Sequence, residues 1–555
     1  MTSRTGIEFV DIDQQHWDLN HWVRGACLYG ILPCNGLVYT PPAPCICYAE
    51  SMLHSFNAFA SASPGSIWKM DSQRTRLRKG PAYNQIAIRD SQIANANDWP
   101  TYRHDAARSG ATKSAVPVEL AQAWKTSIGG RLSSVTVAAD KLFVAAVDKH
   151  AVLALDAHTG TPLWRYTTGG RVDSPPTYFK GRVLFGSADG CVYCVRARDG
   201  ALIWRFLAAL TDRRIMSYEQ IESLWPVHGS VLVRDGIAHF VAGRSIFVDG
   251  GMRLYRIEAR SGEMISQTVL DDRDPKTGGD IQELVKWLNM PVGRPDILSC
   301  DDRRIYMRSQ AFDLQGKRLE MGPQIQGPQE GTRQGVDATH LFCPTGFLDD
   351  TWFHRTYWLY GSTWGSGWNG YYIAGKHVPA GKIMSVGDNT VYVYGRQPQY
   401  YRWTRPLEYR LFAADKRWKM PKTKPGPKPK SRSTRKGRKS QGPAPVDNAE
   451  NYTWSGQVPI LVRAMTLAGE TLFIAGPEDV LHEEGTAKGK EQQILKQEAA
   501  LSGKDGAVLW AVSTEDGSRL FEYKLDSPPV FDGMAAANNS LYLTTLKGDV
   551  LCLAQ

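Results

Sequence analysis

Two groups of residues have the types and spacing to bind a polar ligand or move a proton. The first is Glu222, Trp225 and His228, followed by Arg244, Ser245 and Asp249 in the segment AGRSIFVDGG. The second gathers Asp349, Asp350, Trp352, His354 and Arg355 with Tyr357 and Trp358. Carboxylates beside His and Arg can hold a sugar or another polar ligand, and the flanking rings can stack on it. The competing reading is a buried network in which Arg and Asp satisfy each other and join neighbouring elements, and the residue types favour it. A calcium or zinc site built from Asp349, Asp350 and His354 ranks below both.

Other chemistry finds less support. Cys27, Cys34, Cys45 and Cys47 crowd into the first 47 residues with His21 nearby. The Cys-x-Cys pair invites a zinc reading, but the spacing is not that of paired C-x-x-C knuckles, so disulfides or plain structural cysteines are expected. The total of nine cysteines leaves at least one unpaired within the chain. There is no G-x-S-x-G elbow, no H-E-x-x-H and no Walker loop. Tyr392 and Tyr394 alternate with Val391 and Val393, which reads as a strand.

The net charge of +10 belongs to one segment. Twelve Lys and Arg and no acid lie between Lys416 and Lys439, among them Lys416, Arg417, Lys428, Lys430, Arg432, Arg435, Lys436, Arg438 and Lys439. Without them the rest is close to neutral. A Pro-, Lys- and Gly-rich stretch of this kind, 416–445, is expected to be a disordered surface loop. Its functional reading is nonspecific contact with polyanions; the bland reading is a solvated insertion with no partner. No apolar run is long enough to span a membrane, and the first residues lack a secretory pattern, so the chain as written reads as cytoplasmic.

Internal repeats supply the elements that position these residues. VLALDAHTGTPLW (Val152–Trp164) and VYCVRARDGALIW (Val192–Trp204) match in register forty residues apart. LYRIEARSGEMIS (Leu254–Ser266) and LWAVSTEDGSRLF (Leu509–Phe521) fit the same template. Each is strand, tight turn, strand, with Gly where a positive φ is cheap. A second hairpin precedes each, and four short strands per forty residues predict β-propeller blades. Blades are expected at 130–166, 171–206, 229–267, 294–320, 338–373, 382–454, 460–523 and from Pro529 to Leu553, the fifth being the least regular. The last lacks an outer strand. LAQAWKTS (Leu120–Ser127) is expected to supply it by pairing with residues 551–553, closing an all-β, eight-bladed ring of four-stranded antiparallel blades.

The pattern A-x-[D/x]-x-x-T-G-x-x-x-W resembles the PQQ-like repeat of quinoprotein dehydrogenases and BamB-type assembly lipoproteins. The opening WPTYRHDAARSGAT (Trp99–Thr112) resembles that family's lead-in, and the match covers about 98–555. The resemblance implies bacterial cell-envelope proteins. In the dehydrogenases it implies a quinone stacked between a Trp and a disulfide of adjacent cysteines, above a calcium ion. This sequence has no adjacent cysteines, so no cofactor is expected, with PQQ at the axial channel the alternative.

Outside the ring, residues 1–61 resemble the closing portion of an upstream domain, which would make the chain part of a longer protein, and 62–97 read as a polar linker. Insertion 477–505, with helical potential in GKEQQILKQEAA, and the connections Leu207–Trp225 and Asp271–Pro291, also read as helical, fall on one face. The functional expectation is a noncatalytic module that binds a protein or glycan partner on that elaborated face. A quinone-dependent oxidoreductase is the rival.

Overall fold

The computed structural model describes residues 6–20, 23–25, 29–42, 46–53, 55–61, 75–85, 94–284, 291–319, 339–352, 356–362, 374–375, 378–396, 409–419, 449–481 and 490–555. Within them the propeller region is a succession of antiparallel sheets. The first is Leu132–Ala138, Lys141–Ala146, Ala151–Asp156 and Pro162–Thr167. The second is Thr177–Phe179, Arg182–Gly186, Cys191–Arg196 and Leu202–Leu207, and the third Leu232–Arg234, Ile237–Ala242, Met252–Glu258 and Met264–Leu270. Their inner strands are apolar on both faces because a sheet packs on each side. Their outer strands alternate, as in Pro162–Thr167, because one face meets solvent.

The fourth sheet begins with Ser299–Cys300, the sixth with Ile383–Val386, the seventh with Ala464–Ala468 and the eighth with Pro529–Ala537. The fifth departs from the plan. Its strands His340–Phe342 and Trp358–Gly361 pair with each other, and Trp358–Gly361 then pairs with Ala380–Gly381, which leads straight into the first strand of the sixth. Among the described residues there are eleven sheets: the eight of this succession, the two-stranded sheets Ile7–Asp11 with His16–Asn20 and Arg214–Ser217 with Gln220–Ser223, and the three-stranded sheet of Leu32–Cys34, Leu37–Thr40 and Asn57–Ala60.

Buried clusters tie the first sheet to the second, the second to the third and the third to the fourth. His340 stacks on Tyr306 at 3.8 Å between the fourth and fifth. One cluster spans the fifth to seventh sheets, and another joins the seventh, eighth and first. The last sheet is completed by Ala121–Ser127, which lies antiparallel to Asp549–Ala554 with Trp124 opposite Cys552, as the missing strand required. A closed ring leaves this sheet no open edge on that side.

A repeated contact explains the register of the sequence. The outer-strand Trp of one sheet lies on the turn glycine of the next: Trp124 on Gly160, Trp164 on Gly200, Trp204 on Gly262 and Trp454 on Gly517. Each of these glycines has φ between 71° and 76°, which L side chains rarely adopt. A Cβ there would also fall within 2.8 Å of the indole. Each indole N–H donates to a nearby turn carbonyl, as Trp164 does to Ala197 at 2.8 Å and Trp454 to Thr514 at 2.9 Å.

Two stretches differ from expectation. The stretch after Leu207 is a β-hairpin, Arg214–Ser217 with Gln220–Ser223, where helix was expected. Tyr218 and Glu219 both take positive φ at its tip, the geometry of a tight primed turn. In the second connection a 3-10 turn covers Ile281–Leu284, and residues 285–290 lie outside the described residues. The stretch 62–97, read as linker, contains Leu77–Lys79, which adds a fifth strand to the second sheet. The helix Glu491–Leu501 forms inside the 477–505 insertion. No helix among the described residues is long and apolar enough to cross a membrane.

Candidate ligand site at the head of the inner strands

The chain itself straps one end of the ring. Residues 99–112 cross one end of the sheets. Their carbonyls accept the N–H groups of Val137, Tyr178, Cys300, Val386, Leu467 and Gly469. From this strap Arg103 reaches inward, 2.5 Å from Asp532, and donates to the Met384 carbonyl. Its guanidinium lies 4.5 Å from the Trp358 ring centre. Arg108, fully buried, donates to Leu298 O at 2.9 Å and Thr101 Oγ1 at 2.8 Å, and burial pulls its pKa down to about 10. Arg103, Asp532 and Trp358 thus meet inside the ring beneath the strap.

At the heads of the inner strands lies a charged rim. Arg171 forms an ion pair with Glu222 and lies 3.7 Å from Asp173. His228 Nδ1–H donates to Asp173 at 2.8 Å, and the Gly229 N–H donates to the same carboxylate. Burial disfavours the ionised Asp173, yet His228 and Arg171 hold it well below the usual carboxylate range. Burial pulls His228 down, but the Asp173 charge and hydrogen bond leave its pKa raised.

Farther round the rim, Asp296 accepts from the Ile297 and Phe347 N–H groups. Burial raises its pKa against the opposing pull of Arg308 and His228. Burial, with Arg308 beside it, pulls Arg294 down to about 10, while Asp349 and Glu50 oppose the shift. Lys382, also buried, donates to the Asp349 carbonyl at 3.3 Å and to that of Thr351. Burial lowers its pKa to about 8. Arg463 lies 3.6 Å from Asp350.

The structure thus brings Glu222 and His228 of the first group and Asp349 and Asp350 of the second onto one rim, with Arg294 and Asp296 between them. The roles within the groups differ. Arg244 pairs with Asp249 at 2.5 Å. Ser245 Oγ accepts the Phe247 N–H, and the neighbouring Ile246 N–H donates to Gly293 O. Asp349 accepts the Thr351 N–H and hydroxyl in its own turn. Trp225 is fully buried in the core between the second and third sheets, so it is a packing residue. Trp358 is buried at the centre. Trp352 is half-buried, edge-on to Tyr409. His354 and Arg355 lie outside the described residues.

Arg171, Asp173, Arg294, Asp296, Arg308, Lys382 and Glu50 were not singled out from sequence. One signal was available: Asp173-Ser174-Pro175-Pro176 recurs as Asp526-Ser527-Pro528-Pro529, just ahead of an inner strand each time.

A cavity of about 660 Å³ lies at the other ends of the inner strands. His104, Asp105, Asp301, His340, Tyr360 and Lys416 are among its lining residues. Lys416, expected in a polyanion-binding loop, donates to Gly387 O at 2.8 Å and lies 5.5 Å from the Tyr360 ring. Arg417 is exposed. Lys428, Lys430, Arg432, Arg435, Lys436, Arg438 and Lys439 lie outside the described residues, as do Cys27 and Cys45 and the side chain of Cys47; Cys34 is exposed and unpaired.

The described residues do not make a quinone cradle. The central Trp358 is covered by Arg103, with Phe347 and Phe531 edge-on at 5.3 and 6.0 Å. Among the described residues no three His, Cys, Asp or Glu lie together so as to hold a metal ion.

Residues 106–310 match the family model described as outer membrane protein assembly factor BamB. No curated protein matches the chain. Among solved structures, the chain is similar to quinohemoprotein alcohol dehydrogenase from Comamonas testosteroni. That match has 13% identity and a TM-score of 0.48, and covers 86% of this chain and 83% of that one. It is similar also to a europium-containing methanol dehydrogenase, at 12% identity and TM-score 0.47, covering 83% and 98%. BamB from Moraxella catarrhalis matches at 10% identity and TM-score 0.30, covering 79% and 98%. The repeats that stand in one register, with their sheets joined Trp on Gly, thus include the stretch 106–310 that is similar to the BamB family model.

Proposed function

We propose that this propeller is a noncatalytic module that docks a protein partner on the face carrying the Arg214–Ser223 hairpin. One observation carries the reading. Met216 and Ile221 are directly opposed across the hairpin, and are 66% and 58% exposed. The other side of the ribbon is fixed, since Glu222 is buried against Arg171. A rigid ribbon presenting an apolar pair to water is a contact surface lacking its partner. Leu495, 64% exposed on the insertion helix, adds to the same elaborated face. The rim beneath suits support: the charges described there pair with one another, Arg171 with Glu222, His228 with Asp173 and Arg463 with Asp350.

Capture from an extract of the source cells tests this. The wild type is expected to retain one protein in near-stoichiometric amount, and Met216→Asp/Ile221→Asp to lose it while melting at the same temperature. Equal retention by both, or alcohol-dependent dye reduction after adding PQQ and calcium, would overturn the reading. A glycan partner would show instead as retention on a carbohydrate array.

The basic segment adds a second, electrostatic contact in this proposal. Deleting residues 420–448 is expected to abolish heparin retention and leave the melting temperature nearly unchanged, because counterion release dominates such binding. Retention unaltered by the deletion would rule the segment out. The same reading puts the protein in the bacterial cell envelope, which cell fractionation checks.

A further inference from the structure

The rim contains a receptor for a carboxylate, and the chain fills it from outside the repeats. Glu50, fully buried, places one oxygen on the consecutive N–H groups of Gly293 and Arg294, at 2.8 and 2.9 Å. Its other oxygen lies 3.1 Å from Arg308 Nη1. Arg294 donates as well to the Ala49 carbonyl at 3.3 Å. Two adjacent backbone donors and a guanidinium form the usual recognition set for a carboxylate.

The propeller builds this cradle alone. Arg308 is held by the carbonyls of Pro344, Pro295 and Thr345. It takes φ 52° at a tight turn, a backbone state costly for any residue but Gly, so the turn fixes the guanidinium in place. The Gly293 carbonyl is tied to Ile246 N. None of these contacts involves residues 46–53. Glu50 comes from outside the repeats, on the 3-10 turn Ile46–Ser51; Ala49, Glu50 and Ser51 are buried there, while Tyr29, Leu32 and Phe56 elsewhere in residues 6–61 are at least 61% exposed. A cradle built by the propeller and filled by a short turn from outside the repeats can exchange one carboxylate for another. Charge points the same way, since Arg294 and Arg308 side by side need an anion whichever molecule supplies it.

We propose that the Gly293–Arg294–Arg308 cradle is a carboxylate-binding site, held by Glu50 in this state and open to an external carboxylate when Glu50 withdraws. The external group is either a small carboxylate or the side chain of an acidic peptide. The proposal stands apart from the hairpin reading, and its test leaves the hairpin untouched.

The test uses the full chain with Glu50→Ala, titrated with acetate and with the peptide Tyr-Ala-Glu-Ser-Met, the chain's own sequence around Glu50. Binding is read by calorimetry and by the melting temperature against chloride at equal ionic strength. Saturable acetate binding is expected in Glu50→Ala, weakened about tenfold or more by adding Arg308→Met and absent from the wild type. Tighter binding of the peptide than of acetate, lost when its Glu becomes Gln, assigns an acidic segment; acetate alone assigns a small carboxylate. Should Glu50→Ala fail to fold in chloride, folding rescued by acetate supports the same site. No binding to a folded Glu50→Ala, binding indifferent to Arg308→Met, or collapse in both salts while Glu50→Gln folds normally would overturn it.

Discussion

His228 and Asp173 form the most sharply charged contact on the rim, and its pH dependence has a definite sign. The folded pKa of His228 is raised, so its contribution is complete below its unfolded value, roughly pH 6.5, and is lost as pH rises through the folded one. Asp173 is depressed, so its contribution fails only in acid, below about pH 4. The stability gap between wild type and His228→Asn is therefore expected to be widest near pH 5–6 and to shrink by pH 9. A charged hydrogen bond of this kind contributes about 1.5–3 kcal/mol. Denaturant midpoints across that range check it, and a gap that grows with pH would refute the assignment. His228 and Glu222 were visible in the sequence as polar residues ahead of an inner strand. Their partners were not, because Asp173 lies 55 residues from His228 and Arg171 lies 51 from Glu222. Register says which strand a residue joins, but not which neighbour meets it across the rim. Glu50 lies 258 residues from Arg308 and outside the repeat, so nothing local marked it.

Among the elements, the turn glycine under each tryptophan sets the join between sheets. Gly200→Ala places a methyl group where φ is +71° and puts it 2.8 Å from the Trp164 indole. The backbone cost is about 1–2 kcal/mol, and the displaced indole adds a comparable amount. A loss of about 2–4 kcal/mol is expected in chemical denaturation, against only the backbone cost of about 1–2 kcal/mol for an alanine at Gly236, which shares the positive φ but has nothing within 4 Å of the added carbon. The sequence showed both Trp and Gly in register. It did not show that the Trp of one unit rests on the Gly of the next, because a repeat alignment compares equivalent positions rather than contacting ones. The hairpin at 214–223 was read as helical for a related reason. Its tip uses Tyr218 and Glu219 where Asn or Gly would signal a primed turn.

At the scale of the molecule, ring closure was the most legible feature. A last sheet one strand short, with a spare strand ahead of the first, has one economical solution, and Trp124 opposite Cys552 is that solution. Less legible was what straps one end of the ring. Repeats describe walls, whereas the strap at 99–112 and its Arg103 and Arg108 come from outside them. The docking surface proposed above lies on the elaborated face, at the Arg214–Ser223 hairpin. The most direct measurement is hydrogen exchange on the protein alone and bound to its captured partner. Slowed exchange is expected in Arg214–Ser223, with the outer strands Pro162–Thr167 and Arg519–Leu525 unchanged. Protection confined to the cavity end, at residues 300–301 and 386–388, with the hairpin unprotected, would contradict the account.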